Sequence, residues 1–317
     1  MRYRRLGNSG TLVSEIGLGG WLTFGNALGK GDASDVMNAA FDAGINFFDN
    51  ADAYAQGQCE EVWGELLADR NRGEYVLATK VYFPMNDKPT MKGLGRKHVM
   101  EQCHESLRRL RTDHIDLYQC HRYDADTPLE ETVRAMDDLI KQGKVIYWGF
   151  SEWTAEQIKD CLELCDNEGF YRPKGSQPHY SALHRQWEED VFPLCHDNGI
   201  GQVCWSPLEQ GILTGKYKPD APAPGSSRAM DDRQNKFIKG MTEDRELLER
   251  VQKLEPIAEE QGCSMAQLAL AWALRRPEVS SLIVGATKPQ QLRDNAESSG
   301  IELDAETVQA IEDTLAG

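Results

Sequence analysis

Short apolar runs return along this chain at nearly even intervals, and each closes on a polar residue or a glycine. They read EIGLGG (15–20), INFFD (45–49), YVLATK (75–80), HIDLYQCH (114–121), KVIYWGFS (144–151), GSQ (175–177), GIGQVCWS (199–206) and SLIVGAT (281–287). Each is too short for an ordinary helix. Most are rich in β-branched or aromatic residues and bounded by turn residues, the marks of strands. Their exits fall near Gly20, Asp49, Lys80, His121, Ser151, Gln177 and Trp205, with successive gaps of 29, 31, 41, 30, 26 and 28 residues, and then near Gly285. One strand plus a crossover helix needs about 30 residues. Helix-period segments fill the gaps: ASDVMNAAFDAG (33–44), GRKHVMEQCHESLRRLR (95–111) and TPLEETVRAMDDLIKQGK (127–144). The last has Pro128 at its first helical position and Gly143 near its end, which are start and stop signals.

Eight near-continuous apolar strands alternating with helices close most simply into a parallel barrel. The expected fold is therefore α/β, a (β/α)8 TIM barrel that takes residues 1–317 as one domain. The 80 residues between Trp205 and Gly285 must hold an insertion. Within it, KPDAPAPGSSRAMDDRQNKFIKG (218–240) is rich in Pro, Gly and Ser, lacks a clear period, and reads as a long mobile loop. YRRLGNSGTLVS at the start reads as a hairpin turning at Asn8–Gly10 and plugging the barrel floor.

Composition excludes several functions. A net charge of −16 argues against nucleic acid or an anionic membrane surface as partner. No window approaches the apolar length of a membrane span, so no membrane insertion is expected. MRYRRLGNSGTLVSE lacks the apolar core of a signal peptide. Eight cysteines without a CxxC pair read as reduced thiols in a cytoplasmic protein. Neither HExxH nor a cysteine cluster offers a metal site, and GxSxG is absent.

In such a barrel the site lies at the carboxyl ends of the strands. FFDNADAY (47–54) runs an apolar strand into Asp49 and sets Tyr54 just beyond it. An Asx turn explains that pattern too. Yet Asp49, Lys80 and His121 end three consecutive strands, so they should meet at one rim with Tyr54 beside them. A tyrosine ordinarily titrates near about 10, and an ammonium in hydrogen-bond reach lowers that value. Asp49 would keep Lys80 charged and oriented. Tyr54 would then give a proton to an oxygen that His121 holds in line. Proton delivery to oxygen is half of carbonyl reduction. The other half is a hydride, which requires a cofactor. The GxGxxG fingerprint fails, since Leu22 stands three positions beyond Gly19, so the cofactor must lie on the barrel rim.

GLGGWLTFG (17–25), FFDNADAY, LATK (77–80), DLYQCH (116–121), WGFS (148–151), WSPLEQGILTGKY (205–217) and GAT (285–287) followed by QLRDN (291–295) occur in this order, each at a strand exit. Together they resemble the aldo-keto reductases over residues 3–300, in the branch that includes β subunits of voltage-gated potassium channels and related bacterial reductases. The resemblance implies an NADPH-dependent reductase of small aldehydes or ketones. Tyr54 would be the general acid, Lys80 its partner, Asp49 the anchor of Lys80, and His121 the orienter of the carbonyl. That branch often has asparagine where His121 stands, and histidine favours a working reductase. NADP(H) would be held by Gly20, Trp21 and Asp49 at the mouth, with Ser151 and Gln177 on the carboxamide and Trp205 stacked on the nicotinamide. Ser206, Pro207, Leu208 and Gly211 would follow the pyrophosphate. Lys216 and Arg228 would reach phosphates, Arg228 riding on the 218–240 loop as a lid. Gly285, Thr287, Gln291, Asp294 and Asn295 would hold the adenosine end, at a helix start that suits a phosphate.

The chain departs from the family pattern at Glu152, Glu209, Gln210, Ser226 and Gln291, with Lys288 or Arg293 available to replace a basic residue at Gln291. Trp21, Tyr82, Phe83 and Trp153 would form an aromatic wall for a compact aldehyde. The resemblance is compatible with monomers and with homo-oligomers. Two alternatives stay open: a regulatory or channel-associated β subunit with slow or no turnover, and a Schiff-base aldolase acting through Lys80.

Overall fold

The computed structural model describes residues 1–25, 28–225, 227–230 and 238–316, the side chains of Lys30 and Arg228 excepted. A hairpin comes first, β1 (Tyr3–Arg5) and β2 (Leu12–Ser14). Strands and helices then alternate: β3 (Ile16–Gly19), α1 (Lys30–Asp42), β4 (Phe47–Asp49), α2 (Gln58–Leu66), β5 (Val76–Val81), α3 (Arg96–Leu110), β6 (Ile115–Cys120), α4 (Leu129–Lys141), β7 (Val145–Ser151), α5 (Ala155–Glu168), β8 (Gly175–Gln177), α6 (Val191–Asp197) and β9 (Gly201–Trp205). Next come α7 (Lys239–Glu243), α8 (Arg245–Gln252), α9 (Glu255–Glu260), α10 (Met265–Leu274), β10 (Val279–Val284), α11 (Pro289–Ala296) and α12 (Ala305–Ala316). Strands β3 to β10 are parallel neighbours, and β10 pairs with both β9 and β3, so the sheet closes into a barrel. Every expected strand exit falls within one residue of an observed strand end.

Two boundaries differ from expectation. Pro128 caps α4 instead of opening it, because proline fixes φ but leaves ψ free, here at 129°. The interval before β10 carries α7 to α10, and α7 begins at Lys239, inside the segment expected to be loop. Of the 218–240 segment, residues 226 and 231–237 lie outside the described residues. The described part includes a 3-10 turn at Arg228–Met230 and the start of α7.

Side chains alternate along a strand, so every second residue enters the barrel. Phe47, Val76, Ala78, Leu117, Val203 and Ile283 fill its lower interior with Leu6 and Val13 from the hairpin. The hairpin thus plugs the floor as expected, pinned by the Asn8 N–H donating to Gly199 O at 3.0 Å and Ser280 Oγ to Arg5 O at 2.9 Å. Gly7 at that junction has φ +56°, and a Cβ there would lie 2.2 Å from Gly199 O. Going up two residues from the apolar layer leads to Asp49, Lys80, Gln119 and Trp205.

Gly64 sits in α2, where glycine is costly to helix stability. Its reason is close packing on α3: a Cβ would lie 2.1 Å from the Arg109 carbonyl oxygen. The obstacle is backbone, which cannot rotate away. Gly64→Ala should therefore lower unfolding free energy by about 1–3 kcal/mol, despite alanine's better helix propensity. Denaturant titration checks this, and a more stable variant would refute the packing argument. Among the described residues, no helix is long and apolar enough to cross a membrane.

Candidate active site

The carboxyl rim concentrates backbone strain. Leu22, Ala55, Gln56, Glu152, Ser206, Glu209 and Gln210 all have φ between 47° and 61°, and all lie in loops that follow barrel strands at this end. Left-handed backbone costs a non-glycine residue about 1–2 kcal/mol, and such strain collects where a loop must present a side chain precisely placed for chemistry.

Lys80 lies at the centre of the rim. It enters from β5 two residues above Ala78 and is fully buried. Its Nζ donates to Asp49 Oδ2 at 2.6 Å, Asn50 O at 2.7 Å and Tyr54 Oη at 3.1 Å. An ammonium has three donors and no acceptor, so these three acceptors match its protonated form. Burial lowers the Lys80 pKa, and the charge and hydrogen bond of Asp49 oppose that shift. The loop after β4 brings Tyr54 into place through a 3-10 turn at Tyr54–Gly57, with Ala55 at φ 49° and Gln56 at φ 55°.

The Tyr54 phenol corrects one expectation. Its pKa is raised well above the ordinary value, first by burial and then by the Asp49 carboxylate. Burial and Asp49 therefore outweigh the charge of Arg122, which opposes them, and Tyr54 holds its proton firmly in the free protein. The Lys80 hydrogen bond still points at the oxygen where charge grows once that proton leaves.

His121 continues β6, its N–H donating to Val81 O at 3.0 Å. The ring meets Tyr54 edge-on at 5.8 Å and Phe83 at 4.8 Å, and its buried Nδ1 has no protein partner among the described residues. Burial, then the charges of Lys80 and Arg122, push its pKa well below the ordinary histidine value. It is a neutral donor at neutral pH, and kcat/KM should show no acid limb centred near about 6.5. The unfolded chain takes a proton there that the folded chain refuses. His121 therefore contributes a loss of stability as pH falls below about 6.5, continuing down to its folded pKa. An activity limb near 6.5 that disappears in His121→Asn would contradict this reading.

Asp49 carries more than Lys80. Gln177 Nε2 donates to Asp49 Oδ1 at 2.8 Å, and Gln119 Nε2 approaches it at 3.4 Å. Ser151 Oγ donates to Gln177 O at 2.7 Å. Ser151 and Gln177 thus meet at the rim as expected, with the Gln177 amide nitrogen committed to Asp49. Gln119 was missed by the sequence reading, although alternation along β6 through Leu117, Gln119 and His121 points it inward.

Trp205 is held from behind. Its Nε1 donates to Glu152 Oε1 at 2.8 Å, and Glu152 Oε1 also accepts the His179 N–H. The His179 ring stacks on the indole at 4.3 Å, with His184 stacked beyond it at 3.9 Å. His179 Nε2 lies 3.1 Å from Glu209 Oε2, which also accepts from Ser181 Oγ at 2.5 Å. Burial works against the Glu209 carboxylate, but hydrogen bonds from His179 and Ser181 hold its pKa below the ordinary range. Glu152 and Glu209, departures from the family pattern, therefore brace Trp205. One indole face is covered by His179, and Trp21 meets the indole in an edge contact at 6.2 Å.

The remaining expected residues divide. Gly20 is buried, and a Cβ on it would lie 2.5 Å from Cys59 Sγ, so it packs behind the mouth while Trp21 reaches Trp205. Trp153 is corrected out of the aromatic wall: it is 2% exposed and stacks on Phe150 at 5.0 Å. Phe83 does reach the site through His121. Ser206, Pro207, Leu208 and Gly211 lie in the tight turn after β9, where a Cβ on Gly211 would sit 2.7 Å from Lys216 Nζ. That close approach is a cradle suited to a phosphate. The Arg228 side chain, and with it the lid expectation, lies outside the described residues. Pairing of β9 with β10 aligns Ile283 with Trp205, so Gly285 and Thr287 continue the same edge. Gln291 Oε1 accepts from the Thr287 and Lys288 N–H groups at 3.0 and 3.2 Å and so caps the start of α11. Asp294 accepts from Gln290 at 2.7 Å, and Asn295 is buried. A braced aromatic face, a glycine-lysine turn and a helix start along one edge fit a dinucleotide.

A closed barrel with a Tyr–Lys–Asp–His cluster at its carboxyl rim defines a class, and comparison with known proteins names it. The model of the aldo/keto reductase family matches residues 15–316. The chain is 42% identical to a probable voltage-gated potassium channel subunit beta of Arabidopsis thaliana, over 93% of this chain and 90% of that protein. It is 44% identical to a protein of the same description from Oryza sativa subsp. japonica, again over 93% and 90%. A putative voltage-gated potassium channel subunit beta of Schizosaccharomyces pombe is 40% identical over 93% of this chain and 87% of that protein. The chain belongs to the aldo/keto reductase family, a family of oxidoreductases.

Proposed function

We propose that this protein reduces small aldehydes or ketones with NADPH and that Tyr54 delivers the proton. The observation that carries this reading is the threefold donation of Lys80 to Asp49, Asn50 and Tyr54 in a fully buried position. Trp205 would support the nicotinamide, Ser151 and the free oxygen of Gln177 would meet its carboxamide, and the turn at Ser206–Gly211 with Lys216 would follow the pyrophosphate. Arg293 or Lys288, both exposed on α11 and at its cap, would take the 2′-phosphate, since Gln291 is used in the cap. When bound, the nicotinamide supplies a hydride to the carbonyl carbon.

The side chains handle the oxygen. Neutral His121 and the Tyr54 hydroxyl donate to the carbonyl oxygen and fix its direction. As negative charge grows there, Tyr54 passes its proton across, and Lys80 donates to the phenolate left behind. Asp49 keeps the ammonium aimed, and Gln177 and Gln119 hold Asp49. An oxygen that has gained an electron pair is a far stronger base than a phenolate, so the raised Tyr54 pKa delays proton loss until it is needed.

Seven of the eight cysteines are buried and all are free thiols, which suits a reducing cytoplasmic compartment. The Schiff-base alternative is disfavoured because all three Lys80 hydrogens are engaged and the nitrogen has no lone pair to attack with. The relatives' names sustain a second reading, a channel-associated subunit with slow or no turnover. To test the main reading, butanal is incubated with NADPH deuterated at the transferred position. Deuterium at the carbinol carbon of butanol is expected. Butanol formed without deuterium at that carbon, or butanal trapped on Lys80 by borohydride, would overturn the proposal.

A further inference from the structure

Arg122 follows His121 directly and stands at the same mouth. Its Nη1 donates to the His121 carbonyl oxygen at 2.5 Å and lies 3.4 Å from Ser151 Oγ. Its guanidinium carbon sits 5.6 Å from the centre of the Phe83 ring, and Phe83 packs edge-on against His121. The charge reaches the chemistry: it favours loss of the Tyr54 proton and opposes protonation of Lys80 and His121.

No carboxylate among the described residues forms an ion pair with Arg122, and only its Nη1 finds an acceptor there. The nearby acids are committed elsewhere. Asp124 accepts from the Leu94 N–H at 2.7 Å and Thr127 Oγ1 at 2.8 Å. Glu152 holds Trp205 and the His179 N–H, and Asp49 holds Lys80. A guanidinium has five donors in a planar fork that matches an oxyanion. In a chain of net charge −16, the overall field repels anions, so this local cation stands against its surroundings.

We propose that Arg122 anchors an anionic group of the substrate, and that the preferred carbonyl compounds carry a carboxylate or a phosphate a few bonds from the reacting carbon. The proposal rests on the reductase reading and names the substrate class of that site. Arg122 is placed to hold the anion beside Ser151 and His121 while the carbonyl oxygen meets Tyr54.

The test compares kcat/KM within pairs at saturating NADPH: succinic semialdehyde against butanal, and glycolaldehyde phosphate against glycolaldehyde. The wild-type protein should favour the anion in at least one pair by about tenfold or more, and that pair tells carboxylate from phosphate. Arg122→Gln should collapse that ratio by about 10- to 100-fold, the range expected for losing a hydrogen bond between charged groups. Arg122→Lys should retain an intermediate ratio, because it keeps the charge and loses the fork. NADPH affinity, read from tryptophan fluorescence, shows that each variant is folded. Ratios near one in the wild type, or unchanged in Arg122→Gln, overturn the role of Arg122 while leaving the reductase intact. Failure to reduce any of the four compounds overturns the reductase reading and this proposal together.

Discussion

Tyr54→Phe should lower kcat by about 100- to 10,000-fold, the range for losing a positioned general acid. The change removes one oxygen from a ring that otherwise keeps its packing. The edge contact with His121 and the turn at Tyr54–Gly57 should therefore persist. What disappears is the proton, together with one acceptor of the buried Lys80 ammonium. Neutral His121 does not substitute for it, since its pKa is pushed well below ordinary histidine and its proton is that of an imidazole, a very weak acid. NADPH affinity should change by no more than about threefold, because a hydrogen bond not made to the cofactor costs no binding energy. Stopped-flow rates and a fluorescence titration separate the two quantities. Near-normal turnover would remove Tyr54 from the mechanism.

Lys80→Met should damage both activity and stability. The Lys80–Asp49 pair is buried, at 2.6 Å, with side-chain exposures of 0% and 3%. Removing one member leaves a carboxylate in the barrel interior with only Gln177 and Gln119 for company. Breaking such a pair costs about 3–5 kcal/mol. The stranded Asp49 would bind a proton more readily folded than unfolded, so the variant should gain stability relative to wild type as pH falls. Lys80→Met with Asp49→Asn should recover much of the stability, since neither charge remains, yet stay inactive because nothing supports the Tyr54 phenolate. Denaturant titrations of the three proteins at two pH values check this. Recovery of activity in the double variant would contradict the role given to Lys80.

Much of this site was legible in the sequence because a barrel converts chain position into geometry. A residue ending an apolar run at a period of about thirty must lie on the carboxyl rim, which is why Asp49, Lys80 and His121 meet. Depth is another matter. Burial reverses the expected direction of the Tyr54 pKa, and no motif encodes how much protein surrounds a hydroxyl. Trp153 was expected in the aromatic wall, but Glu152 at φ 58° turns the chain and sends Trp153 against Phe150. That same turn aims Glu152 at Trp205, a contact between residues 53 positions apart. Arg122 escaped notice because a residue just past a strand end can point several ways, and only the packing of Phe83 and Ser151 settles it. The floor plug was readable from its turn residues; the need for glycine at position 7 was not, since it depends on the backbone at Gly199.

The distinction between a working reductase and a subunit that keeps its nucleotide comes down to counting. With the protein at a concentration far below NADPH and a carbonyl substrate in excess, the disappearance of NADPH absorbance is followed for many equivalents. The arrangement of Tyr54, Lys80, Asp49 and His121 predicts a linear, sustained loss matched mole for mole by alcohol. Consumption that halts after one equivalent, with the oxidised nucleotide still bound, would show that this rim performs a single event and does not turn over.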